Sequence, residues 1–283
     1  MELLLTKSKL NSFMVAEKTY KINFMTSVHG QFYLDCVVPY IFFSLLTEPE
    51  SHVEIILHDR TAVDSFVQKY QKDLKAVAKY NSNFLIRETT IDRSNFLVNS
   101  LRFFEAPKIQ AKYTYITDID IMILDKCVDL YEEFWPDGMC YNNIIRPGTS
   151  SRLSGVHMCR TQEYYSDKFL SLQKSTPLTN ADENILGYMC ARVHGLPPKE
   201  HTFRPVLGVH FSPNRGPGKR LSSVVLERYK KMFIDVSEQY DDLFRLDVFK
   251  KLLANLHNMH VDSTPANWPR CWTMVPGRGG IRH

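Results

Sequence analysis

The sequence predicts an α/β fold, a mostly parallel sheet flanked by helices, with further helices towards the C-terminus. Three observations carry that expectation. Over the first two-thirds of the chain, short runs rich in Ile, Val and Phe alternate with stretches of helical period. Residues 32–46 are apolar almost all round, as a buried helix is. The fourth strand-like run, "YTYITDIDIM" (113–122), ends in two carboxylates one residue apart, Asp118 and Asp120, and parallel α/β sheets bind ligands beyond the carboxyl ends of their strands.

The first strand is expected over "KINFMTSV" (21–28), followed by the buried helix and then by "HVEIILHD" (52–59). Thr61 resembles an N-cap with Asp64 three residues on. Val63, Phe66, Val67, Tyr70, Leu74 and Val77 then recur at helical spacing. "NFLIRE" (83–88) is the third strand. Ser94 is placed to cap a helix carrying Leu97, Leu101 and Phe104, which Pro107 ends. Beyond residue 125 the pattern is irregular. "GVHMC" reads as a short strand, and 164–173 and 182–191 as helices. Residues 194–219 form a Pro-, Gly- and His-rich loop, two helical patterns cover 222–234 and 238–256, and the tail after 262 is irregular. No internal repeat or low-complexity tract divides the chain. A single domain over 1–283 is expected, with its core over about 20–220 and C-terminal helices and tail over 221–283.

Composition narrows the function. Of 283 residues, 44% are hydrophobic and 23% charged, ordinary for a globular protein. A net charge of +4 argues against nucleic acid and suits an anionic ligand at one local basic site. The six cysteines (36, 127, 140, 159, 190 and 271) form no CxxC pair and read as buried free thiols. "MELLLTKSKLNSF" is not a signal peptide, and "VVPYIFFSLL", interrupted by Pro39, is too short to span a membrane. A reducing, cytoplasmic compartment is the expectation.

Three constellations carry chemistry. Two carboxylates repel unless a cation lies between them, and Asp118 and Asp120 suit a hard divalent ion, Mn²⁺ or Mg²⁺. The plain structural alternative is a solvated strand end. In "GVHFSPNRGPGK" (208–219), His210 follows an apolar run, and a loop then carries Arg215, Gly216, Gly218 and Lys219. Imidazole is a ligand for Mn²⁺, and a glycine-rich basic loop suits a phosphate. A satisfied, half-buried histidine is the plainer reading of His210. In "TNADENILGYM" (179–189), Thr179 or Asn180 can cap a helix whose first turn holds Asp182 and Glu183. A carboxylate there serves the helix dipole, binds acceptor hydroxyls or acts as a base.

Taken in order, these segments resemble the GT-A glycosyltransferases, and are most similar to the family-8 retaining group of glycogenin and the lipopolysaccharide galactosyltransferases. The resemblance covers about residues 20–220. It rests on "NSLRFFEAPKIQAKYTYITDID" with Arg102, on "LSGVHM" (Ser154 to Met158), on Asp182-Glu183, and on "HFSPNRGPGK". It implies a GT-A, Rossmann-like fold and a nucleotide-sugar donor, UDP favoured over GDP. It implies Mn²⁺ or Mg²⁺ on Asp118, Asp120 and His210, and Arg215 or Lys219 on the diphosphate. Thr26, Ser27, Asp59, Arg102 and Ile119 join the nucleotide-sugar side. Ser154, Gly155 and Glu183 join the donor- or acceptor-sugar side, and Asp182 is the catalytic candidate. The acceptor is a glycan or another hydroxyl compound, and retention of configuration is favoured over inversion. The chain departs from the family pattern at four points. Lys219 falls nine residues after His210, "TSVHGQFY" holds no Asp, Glu183 stands where Gln is usual, and Ser154 stands for Asn.

The chemistry needs such groups because the diphosphate leaving group gains negative charge as the sugar becomes cation-like. A haloacid-dehalogenase-type phosphatase also places D-x-D after an apolar strand, and "YDD" (240–242) imitates its late acidic pair. That class wants a small or Thr-bearing turn where this chain has "IMIL". A non-catalytic nucleotide- or sugar-binding protein on the same fold is the third reading.

Overall fold

A computed structural model of the chain describes residues 19–91, 100–172, 182–205, 207–211 and 223–257. The chain opens with β1 (Tyr20–Ser27), α1 (Gln31–Thr47) and β2 (His52–Leu57). It continues through α2 (Arg60–Lys69), α3 (Gln71–Ala78), β3 (Phe84–Glu88), α4 (Leu101–Phe104) and β4 (Ala111–Ile116). A second part follows with β5 (Ile121–Ile123), α5 (Val128–Glu133), β6 (Tyr141–Asn142), β7 (His157–Arg160), α6 (Thr161–Tyr164) and α7 (Asp167–Leu172). Last come α8 (Asp182–Val193), β8 (Gly208–His210), α9 (Ser223–Gln239), α10 (Asp241–Phe244) and α11 (Asp247–His257).

Six strands form the main sheet in the order β3-β2-β1-β4-β7-β6. The first four run parallel, and β7 and β6 are antiparallel additions at the β4 side. The fold class is therefore a mostly parallel α/β sheet flanked by helices, as expected. Side chains alternate across a strand, and the sheet divides its residues accordingly. Ile22, Phe24, Val53, Ile55, Tyr113 and Tyr115 join the core under α1 and the C-terminal helices. Met25, Ile56, Ile116 and Cys159 face the opposite core, with Phe103, Tyr164, Phe169 and Ile185.

The second face also buries charge. Arg87 Nε lies 2.5 Å from Glu54 Oε1, and its Nη1 lies 2.9 Å from Glu105 Oε2. Asn23 Nδ2 and the Lys108 backbone N–H also donate to Glu54. One guanidinium thus ties β2, β3 and the approach to β4 together, and all three charged side chains are excluded from solvent. Removing Arg87 would leave two buried carboxylates without their cation, a loss of about 3–5 kcal/mol.

Several expectations are corrected. Asp59, not Thr61, caps α2: its side chain accepts from Ala62 N at 2.7 Å, and the helix starts at Arg60. The expected long helix breaks at Tyr70 (φ −103°, ψ 17°), where a buried ring and a hydroxyl bound to Asp35 override helical period. The helix expected over 164–173 is α7, starting at Asp167, and α9 runs on to Gln239 before α10 and α11. The fourth strand stops at Ile116, and β5 belongs to a separate ribbon with β8. Ser94, Leu97, Thr179, Asn180, Arg215, Lys219 and the tail lie outside the described residues. Among the described cysteines all five are free, and four are buried. No described helix is long and apolar enough to cross a membrane.

His157 gives the fold a pH dependence. Its Nδ1 lies 3.0 Å from Asn143 Nδ2, its Nε2 is buried without a hydrogen bond, and its ring stacks on Tyr141. Burial, reinforced by His194, pushes its pKa down to about 3. The unfolded chain therefore binds a proton that the folded chain refuses between about pH 6.5 and 3. Stability is full above that window and falls as pH drops through it. Unfolding in urea at pH 4.5 is expected to require about 2–3 kcal/mol less than at pH 7 on account of this group, at about 1.4 kcal/mol per unit. His157→Phe is expected to flatten that part of the slope.

Candidate functional site

The site lies beyond the carboxyl ends of β1 and β4. Thr26, buried at the end of β1, donates its hydroxyl to Thr117 O at 2.8 Å, which fixes the chain just before Asp118. A turn follows, in which Ile121 N donates to Asp118 O at 3.2 Å. β5 then pairs antiparallel with β8, Ile121 opposite His210, and Phe211 N donates to Asp120 O at 2.8 Å. Backbone pairing therefore sets Asp120 and His210 side by side. A Cβ on Gly208 would stand 1.8 Å from Met122 O, so this approach of β8 to β5 requires glycine.

One ligand atom each from Asp118, Asp120 and His210 lies within 4.8 Å of the others. Asp120 is 3% exposed, its Oδ1 lies 3.0 Å from His210 Nε2, and that oxygen makes no hydrogen bond. A buried carboxylate oxygen in that state is costly unless a cation completes it. Two carboxylates and an imidazole fit a hard or borderline divalent ion. The same carboxylates act on neighbours in α1. Burial raises the Tyr33 pKa, helped by Asp120 and Asp118, and burial pushes the Cys36 thiol up to about 12, helped by Asp120.

Arg102, in α4 and 5% exposed, joins the metal cluster to α8. Its Nη2 lies 2.6 Å from Asp118 Oδ1 and 2.9 Å from Asp182 Oδ2, so one nitrogen touches both carboxylates. Asp182 Oδ1 accepts from Glu183 N at 2.8 Å. The Glu183 carboxylate is buried and fully engaged, by Arg146 Nη2, by Arg152 Nε at 2.7 Å and by Gly155 N at 3.0 Å. Gly155 sits between the two groups. A Cβ there would meet Glu183 Oε1 at 3.4 Å, Arg102 Nη2 at 3.5 Å and Asp118 Oδ2 at 3.8 Å. Ser154 is buried and serves the backbone: its Oγ accepts from Val156 N at 3.2 Å, and its N–H donates to Asn143 Oδ1 at 3.0 Å.

The structure thus brings Asp118, Asp120, His210, Arg102, Asp182, Glu183 and Gly155 into one contiguous cluster with Ser154 behind it. Ser27 is buried at the end of β1. Asp59 ends the β2 side as a helix cap, with His58 Nε2 3.3 Å from its Oδ2. Ile119 is packed in the core. Arg146 and Arg152 were not among the expected site residues. The available signal was two arginines symmetric about "PGTSS", a turn that sets both on one hairpin. The acidic pair of the phosphatase reading is a surface feature: Asp242 accepts from Tyr80 Oη at 2.5 Å, and Asp241 pairs with Arg245 within α10.

No family model matches the sequence, and no curated protein does. Solved structures do. The apo form of the glycosyltransferase GlyE from Streptococcus pneumoniae TIGR4 shares 10% identity over 83% of this chain, with a TM-score of 0.49. This chain spans 63% of that one's length. The galactosyltransferase LgtC, in complex with donor and acceptor sugar analogues, shares 12% identity over 75% of this chain and 94% of its own, with a TM-score of 0.41. The mannosyltransferase PcManGT from Pyrobaculum calidifontis, in complex with GDP-Man and Mn²⁺, shares 12% identity over 86% of this chain and 72% of its own, also with a TM-score of 0.41. The α/β architecture and the cluster's chemistry are read from this chain's own sheet and side chains.

Gly208→Ala is expected to push β8 off β5, lowering stability by about 1–3 kcal/mol and weakening Mn²⁺ binding, read by calorimetry, by about 10-fold or more. Unchanged Mn²⁺ affinity would show that the ribbon does not set the ligand geometry.

Proposed function

We propose that the chain is a metal-dependent glycosyltransferase that moves a sugar from a nucleoside-diphosphate donor, UDP favoured, to a hydroxyl acceptor, a glycan. The observation that carries this reading is the convergence of Asp118, Asp120 and His210 beyond the ends of the parallel strands, with Asp120 Oδ1 buried and unbonded. These three residues would hold Mn²⁺ or Mg²⁺. When bound, such an ion neutralises charge on the diphosphate.

The chain's own groups do the rest. Arg102 fixes Asp118 and Asp182 against each other, so the sugar-side carboxylate keeps a set distance from the metal-side one. Asp182 faces the transferred sugar and the acceptor hydroxyl. In an inverting reaction it takes the acceptor proton, and in a retaining one, which the resemblance favours, it orients donor or acceptor. By the resemblance, Thr26, Ser27, Asp59 and Ile119 belong to the nucleotide-sugar side, and Arg215 or Lys219 to the diphosphate. Gly155 and Ser154 form the floor under the sugar. A cytoplasmic setting fits this use of a nucleotide sugar.

Asp120→Asn is expected to abolish Mn²⁺-dependent UDP binding by calorimetry while leaving the melting temperature the same or higher, since an uncompensated buried carboxylate burdens the metal-free fold. Turnover of a UDP-sugar that persists in EDTA would overturn the metal reading. Asp182→Asn retains capping capacity and removes the charge. It is expected to lower turnover by roughly 10²-fold at near-native stability. NMR of the product's anomeric centre assigns the role, with inversion marking a base and retention an orienting group. A fully active Asp182→Asn enzyme would leave Asp182 as a helix cap.

A further inference from the structure

The two arginines on Glu183 have no part in the metal chemistry, and their arrangement is built. Ile145 pairs with Leu153, Arg146 N donates to Arg152 O at 2.7 Å, and Thr149 N donates to Arg146 O at 3.1 Å, closing a hairpin with an arginine on each leg. That hairpin crosses α8 at Gly187, where a Cβ would stand 2.0 Å from Ser151 O. Close packing against a helix fixes both arginines in place.

Among the described residues the charges do not balance. Arg146 and Arg152 both end on Glu183, which also accepts from Gly155 N, so two guanidiniums share one carboxylate. Glu183 is buried, whereas the side chains of Arg146 and Arg152 are 32% and 44% exposed. They therefore reach from a buried anchor to solvent. On the other side of Gly155 stand Asp118 Oδ2 and Arg102. The surplus positive charge thus borders the cluster of Asp118 and Arg102, one glycine away.

A fixed pair of guanidiniums matches a planar or tetrahedral oxyanion. We infer that Arg146 and Arg152 form an acceptor subsite for an oxyanion, a phosphate or a carboxylate carried on the acceptor sugar, with Glu183 holding the forks in place. This rests on the glycosyltransferase reading. The nucleotide's own diphosphate is assigned to the metal side, so the surplus charge faces the second substrate.

The test measures binding of a hexose, its 6-phosphate and the matching hexuronate by calorimetry, with and without Mn²⁺ and UDP. With both present, an anionic sugar is expected to bind at least about 10-fold tighter than the neutral hexose, and the tighter of the two anions identifies the group. Arg152→Gln and Arg146→Gln are each expected to erase most of that preference. Arg152→Lys, which keeps the charge and loses the fork, is expected to retain only part of it. Melting curves establish that each variant is folded. Equal binding of neutral and anionic sugars, or an undiminished preference in both arginine variants, would overturn the inference and leave the trio a structural ion pair. Displacement of the sugar phosphate by UDP would also overturn it, by placing the arginines on the donor. Failure of UDP to bind with Mn²⁺ is a separate outcome that counts against the transferase reading, while the metal-free arm still decides the arginines' role.

Discussion

The pairing of β5 with β8 is the constraint on which the site depends. Asp120 and His210 are 90 residues apart in sequence, and nothing local brings them together. The ribbon is three residues on each side, too short to hold by its own hydrogen bonds. Its stability comes from Met122, Ile123 and Val209, all fully buried in the larger core. The logarithmic growth of loop entropy makes so long a closure tolerable. The ligand geometry is therefore as firm as the core that holds the ribbon.

Around that ribbon the site is an alternation of charges. Asp118 and Asp182 share Arg102, while Glu183 is shared by Arg146 and Arg152. Each carboxylate except Asp120 has a guanidinium close by. Asp120 instead faces a histidine nitrogen and the buried ends of apolar strands, which marks it as the position where the folded chain lacks a positive partner. Burial raises the pKa of the neighbouring Tyr33 and Cys36, and the charge of Asp120 adds to both.

Much of this was legible in the sequence. The three parallel strands β1 to β3 and the buried helix α1 follow from period and composition, because each buries a continuous apolar face and needs no distant partner to be recognised. The convergence of Asp118, Asp120 and His210 was legible because carboxylates after an apolar run and a histidine after another are unusual companions for a core. The ribbon was not, since "IMIL" reads as a continuation of β4, and the turn at Thr117–Asp120 is set by hydrogen bonds to β1 and β8. The break at Tyr70 was hidden for a similar reason: a helical period persists across it, and the decisive contact is with Asp35 on another helix. The arginine hairpin carried a turn signal, but its meaning depends on Gly187 accepting a backbone across α8, which no local pattern encodes.

The buried trio of Glu54, Arg87 and Glu105 has a consequence for how such a chain can diverge. Glu54 and Glu105 also receive Asn23, Lys108 N and Thr90 N, so each carboxylate is held by groups other than the guanidinium as well. Replacing Arg87 alone strands two carboxylates inside the protein, whereas an apolar replacement of all three together need not. Loss of one glutamate leaves a one-to-one pair, so change at these positions has an order: a carboxylate can go first, and the arginine only after or together with the carboxylates. The three positions would covary even though they lie outside the cluster of Asp118, Asp120 and His210.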